Sequence, residues 1–587
     1  MQAVIVTPSG SELPQQRSIV AAGKLELQRA SSTPWVPLLI VGTVYLVLRL
    51  SALAHAVVVE DHDSVGYLNE IQTYLSRDLS RILNLGVDST PVFPALGALF
   101  SLPGWGPELG ARLSSVFASL VLLVAFSVIG QRLVGWGATL AGLVLLTFCP
   151  VLVGLSISIL TEPSYIATVY VGLALFWLWA DDPRSWRGFV LGLVFGLGFI
   201  NRIEGVLFLV AIPVFQALAP LFDRPRPFFL RRLVPWTAAY FVGFGILAVP
   251  QIWNVSRQVG TFMVNGRQVW SAILAAPGPR YEERIYGLVY SPGQVNIEYL
   301  ESHPKAKIRS TPPTGSELAT QRPAILEGRG HRLNTGLKEY AKVLITNFDL
   351  LSWHGLGELF GPVVLILFGI GVVELFRTES VSTVVIVLGV LAVMLAAPLM
   401  HNVITRHVAI IAPLVLLLAG YGAVEITRRF ESVPRRSLVL LATLGVLVLS
   451  AWLVPLRDLG SPSHCNREYC PADLAKPASV LNRTVPAGSH PRIVSRRLYF
   501  PYYAAGIKVS LPYTDLAGLE RYLALNNAQY LFLDESGAQK YPFYSAFVGD
   551  LPPAGFELLY KGRDAWGREM RLFRFSQPEQ PAISSAT

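Results

Sequence analysis

Apolar runs of about 20 residues recur along most of this chain and constrain its fold more than any other feature. A helix of about 20 apolar residues is long enough to cross the hydrocarbon core of a bilayer. Examples of such runs are WVPLLIVGTVYLVLRLSAL, STVVIVLGVLAVMLAAPLM and HVAIIAPLVLLLAGYG. Charged residues make up only 15% of the sequence, whereas a soluble globular protein usually carries about 25%. The sequence therefore predicts a polytopic α-helical membrane protein with about 11 transmembrane helices.

The short loops between these runs alternate in their content of arginine and lysine. The N-terminal segment is basic, and so are the loop around Arg132, the segment DRPRPFFLRR and the loop TRRFESVPRR. Cytoplasmic loops carry an excess of Lys and Arg, so the pattern predicts a cytoplasmic N-terminus. An odd number of helices then predicts an extracytoplasmic C-terminal domain in a multi-pass protein of the cell (inner) membrane. This topology and attraction to membrane lipids explain the net charge of +9, and we expect no nucleic-acid partner.

Hydropathy divides the chain into four parts, and long outer loops interrupt the second part. The predicted parts are a cytoplasmic N-terminal segment (1–34), a transmembrane domain (35–455) with outer loops 55–110 and 251–358, a soluble extracytoplasmic α/β domain (456–575) and a disordered tail (576–587). Within the α/β domain, AQYLFLDE is typical of a strand and DLAGLERYLALNN of a helix with an Asp N-cap. FELLYKGRDAWGREMRLFRF is typical of a β-hairpin.

The sequence contains three cysteines. Cys149 lies in an apolar run, whereas Cys465 and Cys470 lie in the segment HCNREYC of the predicted extracytoplasmic part. Disulfides form on that side of the membrane. We therefore expect a Cys465–Cys470 bridge, and the alternative is a pair of free thiols.

Carboxylates cluster where the first apolar run ends. Glu60, Asp61 and Asp63 follow that run directly and precede an amphipathic pattern that contains Tyr67. The pattern is typical of a helix that lies in the plane of the membrane interface. One interpretation makes Asp63 or Ser64 the N-cap of that helix. Capping needs only one acceptor, so it leaves the other acids unexplained.

Further polar clusters occur at ends of apolar runs that the topology places outside. The run before the segment FINRIEG has about 13 residues, which is too short to cross a bilayer alone. Its charges are therefore expected at the depth of the outer leaflet, where an ionisable residue is a candidate for function. The alternative is a set of interfacial anchors and snorkelling ion pairs. The clusters contain Asp88, Glu162, Arg202 with Glu204, and His401 with Arg406 and His407.

A resemblance to a known family rests on motifs and their order. The motifs are DSVGYL, TPVFPALGALF, LTEPSYIATVYVGLALFWLW, NRIEGVLFLV and TRHVAIIAPLVLLLAGYG. Over about residues 35–455 they resemble the GT-C superfamily of integral-membrane glycosyltransferases, in the branch of protein O-mannosyltransferases and aminoarabinose transferases. The resemblance implies transfer of a sugar from a polyprenyl-phosphate donor to an acceptor protein, glycan or lipid on the outer face. A single displacement would invert the anomeric carbon.

The resemblance also implies roles for individual residues. An Asp in the first outer loop acts as base or orients the acceptor, and both Asp63 and Asp61 match it. The sequence has Ser64 where the family motif usually has Glu, and Thr90 where members often have a basic residue. No cofactor is certain; a divalent cation held by the acids is allowed for but not required. The expected substrate-binding residues are Glu60, Tyr67, Glu162, Arg202, Glu204, Arg406 and His407.

Two other classes of protein remain open at this stage. A transporter or flippase of a lipid-linked or anionic solute would also place charges near the membrane. Inverted repeats of broken helices, which many transporters contain, are not apparent in the sequence. A non-catalytic membrane scaffold whose outer domains bind a partner is the third class.

Overall fold

The computed structural model describes the greater part of the chain. The described residues are 35–56, 62–77, 90–180, 182–222, 229–266, 344–351, 356–400, 405–429, short pieces between 445 and 453, 474–496, 499–512, 514–539, 541–549, 551–564 and 567–576. Several predictions concern positions outside these ranges. These are the Cys465–Cys470 bridge, Asp88, His401, the N-terminal segment, the tail and most of the second outer loop.

The N-terminal part of the described chain is helical. Two 3₁₀ turns, Ile203–Val206 and Ala409–Ile411, interrupt the helices next to charged residues. The helices are α1 (Trp35–His55), α2 (His62–Leu75), α3 (Val92–Ser101), α4 (Gly106–Leu133), α5 (Gly135–Phe148), α6 (Pro150–Leu155), α7 (Glu162–Trp179), α8 (Ser185–Asn201), α9 (Leu207–Phe222), α10 (Phe229–Val259), α11 (Leu356–Thr378), α12 (Val381–Met400), α13 (Thr405–Val408) and α14 (Ala412–Arg428).

Among the described residues, five helical segments are long and apolar enough to span a bilayer. They are Trp35–His55, Gly106–Leu133, Arg231–Val259, Leu359–Thr378 and Arg406–Arg428. Shorter apolar helices accompany them, including α3, α5 and α8. A polytopic helical membrane fold is therefore confirmed, whereas the number of 11 spans stays a prediction.

Helices α8 and α10 approach each other through glycines. Gly188, Gly192 and Gly196 recur at every fourth residue of α8 and therefore lie on one face. A Cβ atom on Gly192 would lie 2.0 Å from the carbonyl oxygen of Tyr240. Only glycine leaves room for this contact, which is the small-xxx-small packing of membrane helices.

A different cluster of charged residues lies at each end of α7. Glu162 begins this helix of 18 residues, which is about 27 Å long. Beyond its other end, the carboxylate of Asp182 pairs with Arg184 at 2.6 Å, Arg187 at 3.2 Å and Arg232 at 3.1 Å. The predicted outer and inner clusters therefore lie at opposite ends of a helix about as long as a bilayer core is thick.

The C-terminal part is a five-stranded mixed sheet with helices on both faces. The strand order is β2-β1-β3-β5-β4, with β1 parallel to β2 and β3 and with β5 antiparallel to β3 and β4. The predicted hairpin and the predicted Asp515 N-cap are both confirmed, since β4 pairs with β5 and Asp515 accepts from the Gly518 N–H at 2.8 Å. The elements are α15 (Ala475–Thr484), β1 (Arg492–Ser495), α16 (Tyr499–Tyr503), β2 (Ile507–Ser510), α17 (Leu516–Leu525), β3 (Tyr530–Asp534), α18 (Glu535–Ala538), the 3₁₀ helix Pro542–Phe547, β4 (Phe556–Arg563) and β5 (Glu569–Phe575).

Each face of the sheet has its own apolar core. One face packs on α17 through residues such as Leu531 and Phe573. The other face forms one continuous core with α15, α16, α3 and the interfacial helix α2. The sheet domain is therefore packed against the segment that carries Asp63.

Candidate functional site

Arg202 lies between two carboxylates where α8 ends. Its backbone is extended (φ −150°, ψ 139°), so the helix stops and the side chain reaches the start of α7. The Arg202 Nη1 atom lies 2.6 Å from Glu162 Oε1, and Nη2 and Nε donate to the two carboxylate oxygens of Glu204 at 3.1 and 3.3 Å. The guanidinium also donates to Thr161 Oγ1 at 3.3 Å. The side chains of Arg202 and Glu162 are only 9% and 5% exposed, so this is a buried charge network.

Arg406 connects this network to the interfacial helix α2. Its Nη2 atom donates to Asp63 Oδ2 at 3.0 Å, and its Nε lies 3.6 Å from Glu162 Oε1. His407, the next residue, places Nε2 4.0 Å from the same Glu162 oxygen. Asp63 and Arg406 are 343 positions apart in sequence, so the fold alone brings the two chain regions together.

Asp63 does not cap α2. The helix begins at His62, which places Asp63 inside the first turn. The prediction that Asp63 or Ser64 is the N-cap is therefore wrong. A carboxylate in the first turn still interacts favourably with the helix dipole, and 47% of the Asp63 side chain is exposed. Its carboxylate can therefore meet a substrate.

Tyr67 lies one turn after Asp63 on the same side of α2. Its phenol contacts Thr161, and its ring packs edge-on against Phe93 with the ring centroids 5.5 Å apart. Burial, with the negative charges of Asp63 and Glu162, raises the pKa of Tyr67 above its ordinary value. The phenol therefore keeps its proton and serves as a neutral hydrogen-bonding group beside the charged network.

An open pocket extends from the charged network along apolar side chains. The cavity volume is only about 30 Å³, and the empty space reaches about 500 Å³ when the open solvent at the mouth is included. Charged groups line one part of the pocket, and side chains of α9 and α12 line another. Glu162 Oε2 is buried and has no hydrogen-bond partner among the described residues. The lining residues are Glu162, Tyr165, Ile166, Arg202, Glu204, Leu207, Phe208, Val393, Met394, Pro398, Arg406, His407 and Ile410.

The structure brings together seven of the nine residues that the sequence singled out. Glu60 and Asp61 lie outside the described residues. Which of Asp61 and Asp63 is the catalytic carboxylate therefore stays a prediction. The residues that contact one another or line the pocket are Asp63, Tyr67, Glu162, Arg202, Glu204, Arg406 and His407.

Sequence reasoning missed the supports of this network. Asn201 is buried and donates to Ser164 Oγ at 2.8 Å, and Ser164 donates to the Thr161 carbonyl at 3.0 Å. These contacts tie the end of α8 to the start of α7. Asn201 directly precedes Arg202 in FINRIEG. An amide side chain at the end of an apolar run is the sequence feature that could have identified it.

The described residues contain no group of three or more His, Cys, Asp or Glu side chains that could hold a metal ion. Asp63 and Glu162 both face Arg406 rather than each other. The described side chains thus do not form a cation site, and we derive no step through a metal. A divalent cation held by the acids stays a prediction, since Glu60 and Asp61 are not described.

No model of a known protein family matches the chain, and no curated protein sequence matches it. Solved structures are similar. An oligosaccharyltransferase of Archaeoglobus fulgidus in complex with Zn and sulfate has a TM-score of 0.54 at 13% identity, over 85% of this chain and 68% of its own. ArnT of Cupriavidus metallidurans, bound to undecaprenyl phosphate, has a TM-score of 0.54 at 11% identity, over 92% and 98%. The chain therefore shares the fold of these two proteins, as the resemblance in its sequence implied.

Proposed function

We propose that this protein is a membrane glycosyltransferase that moves a sugar from a polyprenyl-phosphate donor to an acceptor at the outer face of the membrane. One observation carries the proposal: the exposed Asp63 carboxylate pairs with Arg406, and Arg406 and Arg202 line a pocket that continues along an apolar wall. A polyprenyl-phosphate sugar has one anionic group, one reacting carbon and a long apolar chain. The similar fold of ArnT, a protein that binds undecaprenyl phosphate, supports the same donor class.

The donor's phosphate is expected beside Arg406. The Asp63–Arg406 pair is 47% and 23% exposed, and pairs of this kind contribute only about 0–1 kcal/mol. A phosphate can therefore replace Asp63 on the Arg406 guanidinium. The Arg202–Glu162 pair is buried, and breaking such a pair costs about 3–5 kcal/mol. Arg202 thus stays in place as the fixed part of the site.

Release from Arg406 leaves the Asp63 carboxylate free to act as a base. The acceptor's oxygen attacks the anomeric carbon and forms the new C–O bond, while its proton passes to Asp63. The bond between the anomeric carbon and the phosphate oxygen breaks, and its electron pair stays on the phosphate. Arg406 stabilises that charge, and the neutral imidazole of His407 lies beside it. One displacement of this type inverts the anomeric configuration.

Charge balance places a condition on this mechanism. Three carboxylates (Asp63, Glu162 and Glu204) and two guanidinium groups (Arg202 and Arg406) leave one net negative charge when His407 is neutral. Protonation of Asp63 during the reaction removes that excess charge. The phosphate therefore leaves more easily in the step in which Asp63 takes up the proton.

The apolar wall suits the prenyl chain. Val393, Met394 and Pro398 belong to α12, and Leu207 and Phe208 belong to α9. They adjoin the arginines, so a lipid chain can lie along them while its phosphate stays at the charged end. A transporter would need the same contacts but no base, and the exposed Asp63 beside Arg406 favours transfer.

The direct test is release of polyprenyl phosphate from a series of undecaprenyl-phosphate monosaccharides by the purified protein in nanodiscs, with candidate acceptors. We expect Asp63→Asn to lower the rate about 10²–10⁴-fold, which is the usual worth of a general base. The matched control is Glu70→Gln, which removes a charge from the same helix seven residues after Asp63. Release at the parental rate by Asp63→Asn, or movement of intact donor across the membrane without cleavage, would refute the proposal.

A further inference from the structure

Helix α2 has two faces with different surroundings. Val65, Leu68 and Ile71 are spaced three residues apart and are at most 1% exposed. Asp63 and Tyr67 lie four residues apart on another side, beside Arg406 and Thr161. The apolar face is therefore held in a core, while the polar face reaches the proposed site.

The C-terminal domain supplies part of that core. Tyr499 and Phe500 of α16 are buried in the same apolar cluster as the inner face of α2. Phe500 stacks on Phe532 of β3 with ring centroids 4.0 Å apart and planes 11° apart. Helix α16 is therefore fixed to the sheet on one side and packs against α2 on the other.

Helix α16 also lies near the start of α4. Burial, followed by the charge of Glu108, raises the pKa of Tyr502 to about 12. Glu108 belongs to the first turn of α4 and pairs with Arg112. The domain thus shares its apolar core with α2, α3 and α4, and α2 is the one that carries Asp63.

The ion pair between Asp63 and Arg406 is too weak to hold α2 alone. It joins α2 to α13, and the two side chains are 47% and 23% exposed. Exposed pairs of this type add little to stability. Buried apolar side chains contribute much more, so packing must fix the position of the helix.

We propose that α16 is a positioning element whose residues Tyr499 and Phe500 hold α2 so that Asp63 stays within reach of Arg406 and the donor. The catalytic part of this inference rests on the function proposed above. The soluble domain is then required for the chemistry although none of its described side chains lines the pocket.

The test compares Phe500→Ala with the matched variant Phe543→Ala in the full-length protein. Phe500 is 1% exposed and Phe543 is 2% exposed, but Phe543 lies in the core on the opposite face of the sheet. Hydrogen–deuterium exchange of peptides from residues 62–77 reports directly on α2. We expect faster exchange there in Phe500→Ala and parental exchange in Phe543→Ala.

Transfer kinetics give the second measurement. We expect Phe500→Ala to lower kcat by about 10- to 100-fold, because a shift of a catalytic group by about 1 Å can lower the rate by that factor. The KM for the undecaprenyl-phosphate sugar should be unchanged, because the pocket is intact. In an Asp63→Asn background, Phe500→Ala should cause no further loss.

If Phe500→Ala does not accumulate as folded protein, Phe500→Leu replaces it in both measurements. Parental exchange in residues 62–77 of the Phe500 variant, or equal acceleration in the Phe543 variant, overturns the inference. Faster exchange with unchanged kcat overturns it as well. If the parent transfers no sugar, the proposed function fails, while the exchange data still decide whether α16 holds α2.

Discussion

At the scale of single residues, Arg202 and Arg406 differ in exposure, and their roles follow from that difference. Arg202 has all three guanidinium nitrogens engaged with Glu162, Glu204 and Thr161. Arg406 is more exposed and joins side chains from different helices. The first residue therefore fixes the network, and the second is the one that can change partners when a donor binds.

The substitution Arg202→Gln tests the structural role of this residue. It removes the nearest cation of the buried Glu162 carboxylate and of Glu204, so we expect the free energy of unfolding to fall by about 3–5 kcal/mol. Arg232→Gln is the matched control, because Arg232 is 61% exposed where it pairs with Asp182. The control should change stability by about 1 kcal/mol or less. Thermal unfolding midpoints in one detergent measure both, and equal midpoints for the two variants would contradict the prediction.

The sequence predicts the identity of the site residues better than it predicts the contacts between them. Glu162, Arg202 and Arg406 interrupt apolar runs, and a charge in such a place is conspicuous. Tyr67 was expected to bind substrate, but its contact with Thr161 depends on how α2 lies over α7. Partners separated by hundreds of residues, such as Asp63 and Arg406, become known only when the helices are packed.

At the scale of elements, glycine spacing determines how α8 and α10 pack. Hydropathy marks α8 as apolar, and its spacing of glycines is visible in GFVLGLVFGLGF. The close approach of Gly192 to Tyr240 brings α8 against α10, and Arg202 follows directly after the end of α8.

Two glycine substitutions on α8 should have opposite effects. A Cβ atom on Gly192 would lie 2.0 Å from the Tyr240 carbonyl oxygen and 2.8 Å from the Phe244 nitrogen. Because backbone atoms must move, we expect Gly192→Ala to destabilise the protein by about 1–3 kcal/mol. On the same helix, the nearest atom to a Cβ on Gly198 is 3.8 Å away. Gly198→Ala should be neutral or stabilising by up to about 1 kcal/mol.

Thermal unfolding of the two variants and the parent in the same detergent checks this prediction. An equal loss of stability in both variants would mean that the helix tolerates neither change for a reason other than contact with α10. No loss in Gly192→Ala would mean that α8 and α10 are not packed this closely in the membrane.

At the scale of the whole molecule, hydropathy and arginine content predict the class of fold. They do not predict how the helices and the sheet domain pack against each other. The helical membrane part and the hairpin of the sheet domain follow from periodicity. The core shared by α2 and the sheet domain does not, because it joins residues such as Leu68 and Phe500. No local pattern in the sequence connects two such distant apolar surfaces.

Labelling of single cysteines tests the orientation in the membrane. Ser479 is exposed on α15, and Ser185 is exposed at the basic end of α7 and α8. In a background that lacks Cys465 and Cys470, we expect Ser479→Cys to react with a membrane-impermeant maleimide on intact spheroplasts. Ser185→Cys should react only after permeabilisation, since basic loops stay in the cytoplasm. The reverse pattern would invert the proposed topology.

The most direct measurement is a density map of the protein in nanodiscs with undecaprenyl phosphate. The proposed donor site requires the phosphate within hydrogen-bond distance of the Arg406 guanidinium, the prenyl chain along Val393 and Met394, and Asp63 released from Arg406. Phosphate density at the opposite end of α7, beside Arg184 and Arg232, with Asp63 still paired to Arg406, would contradict it.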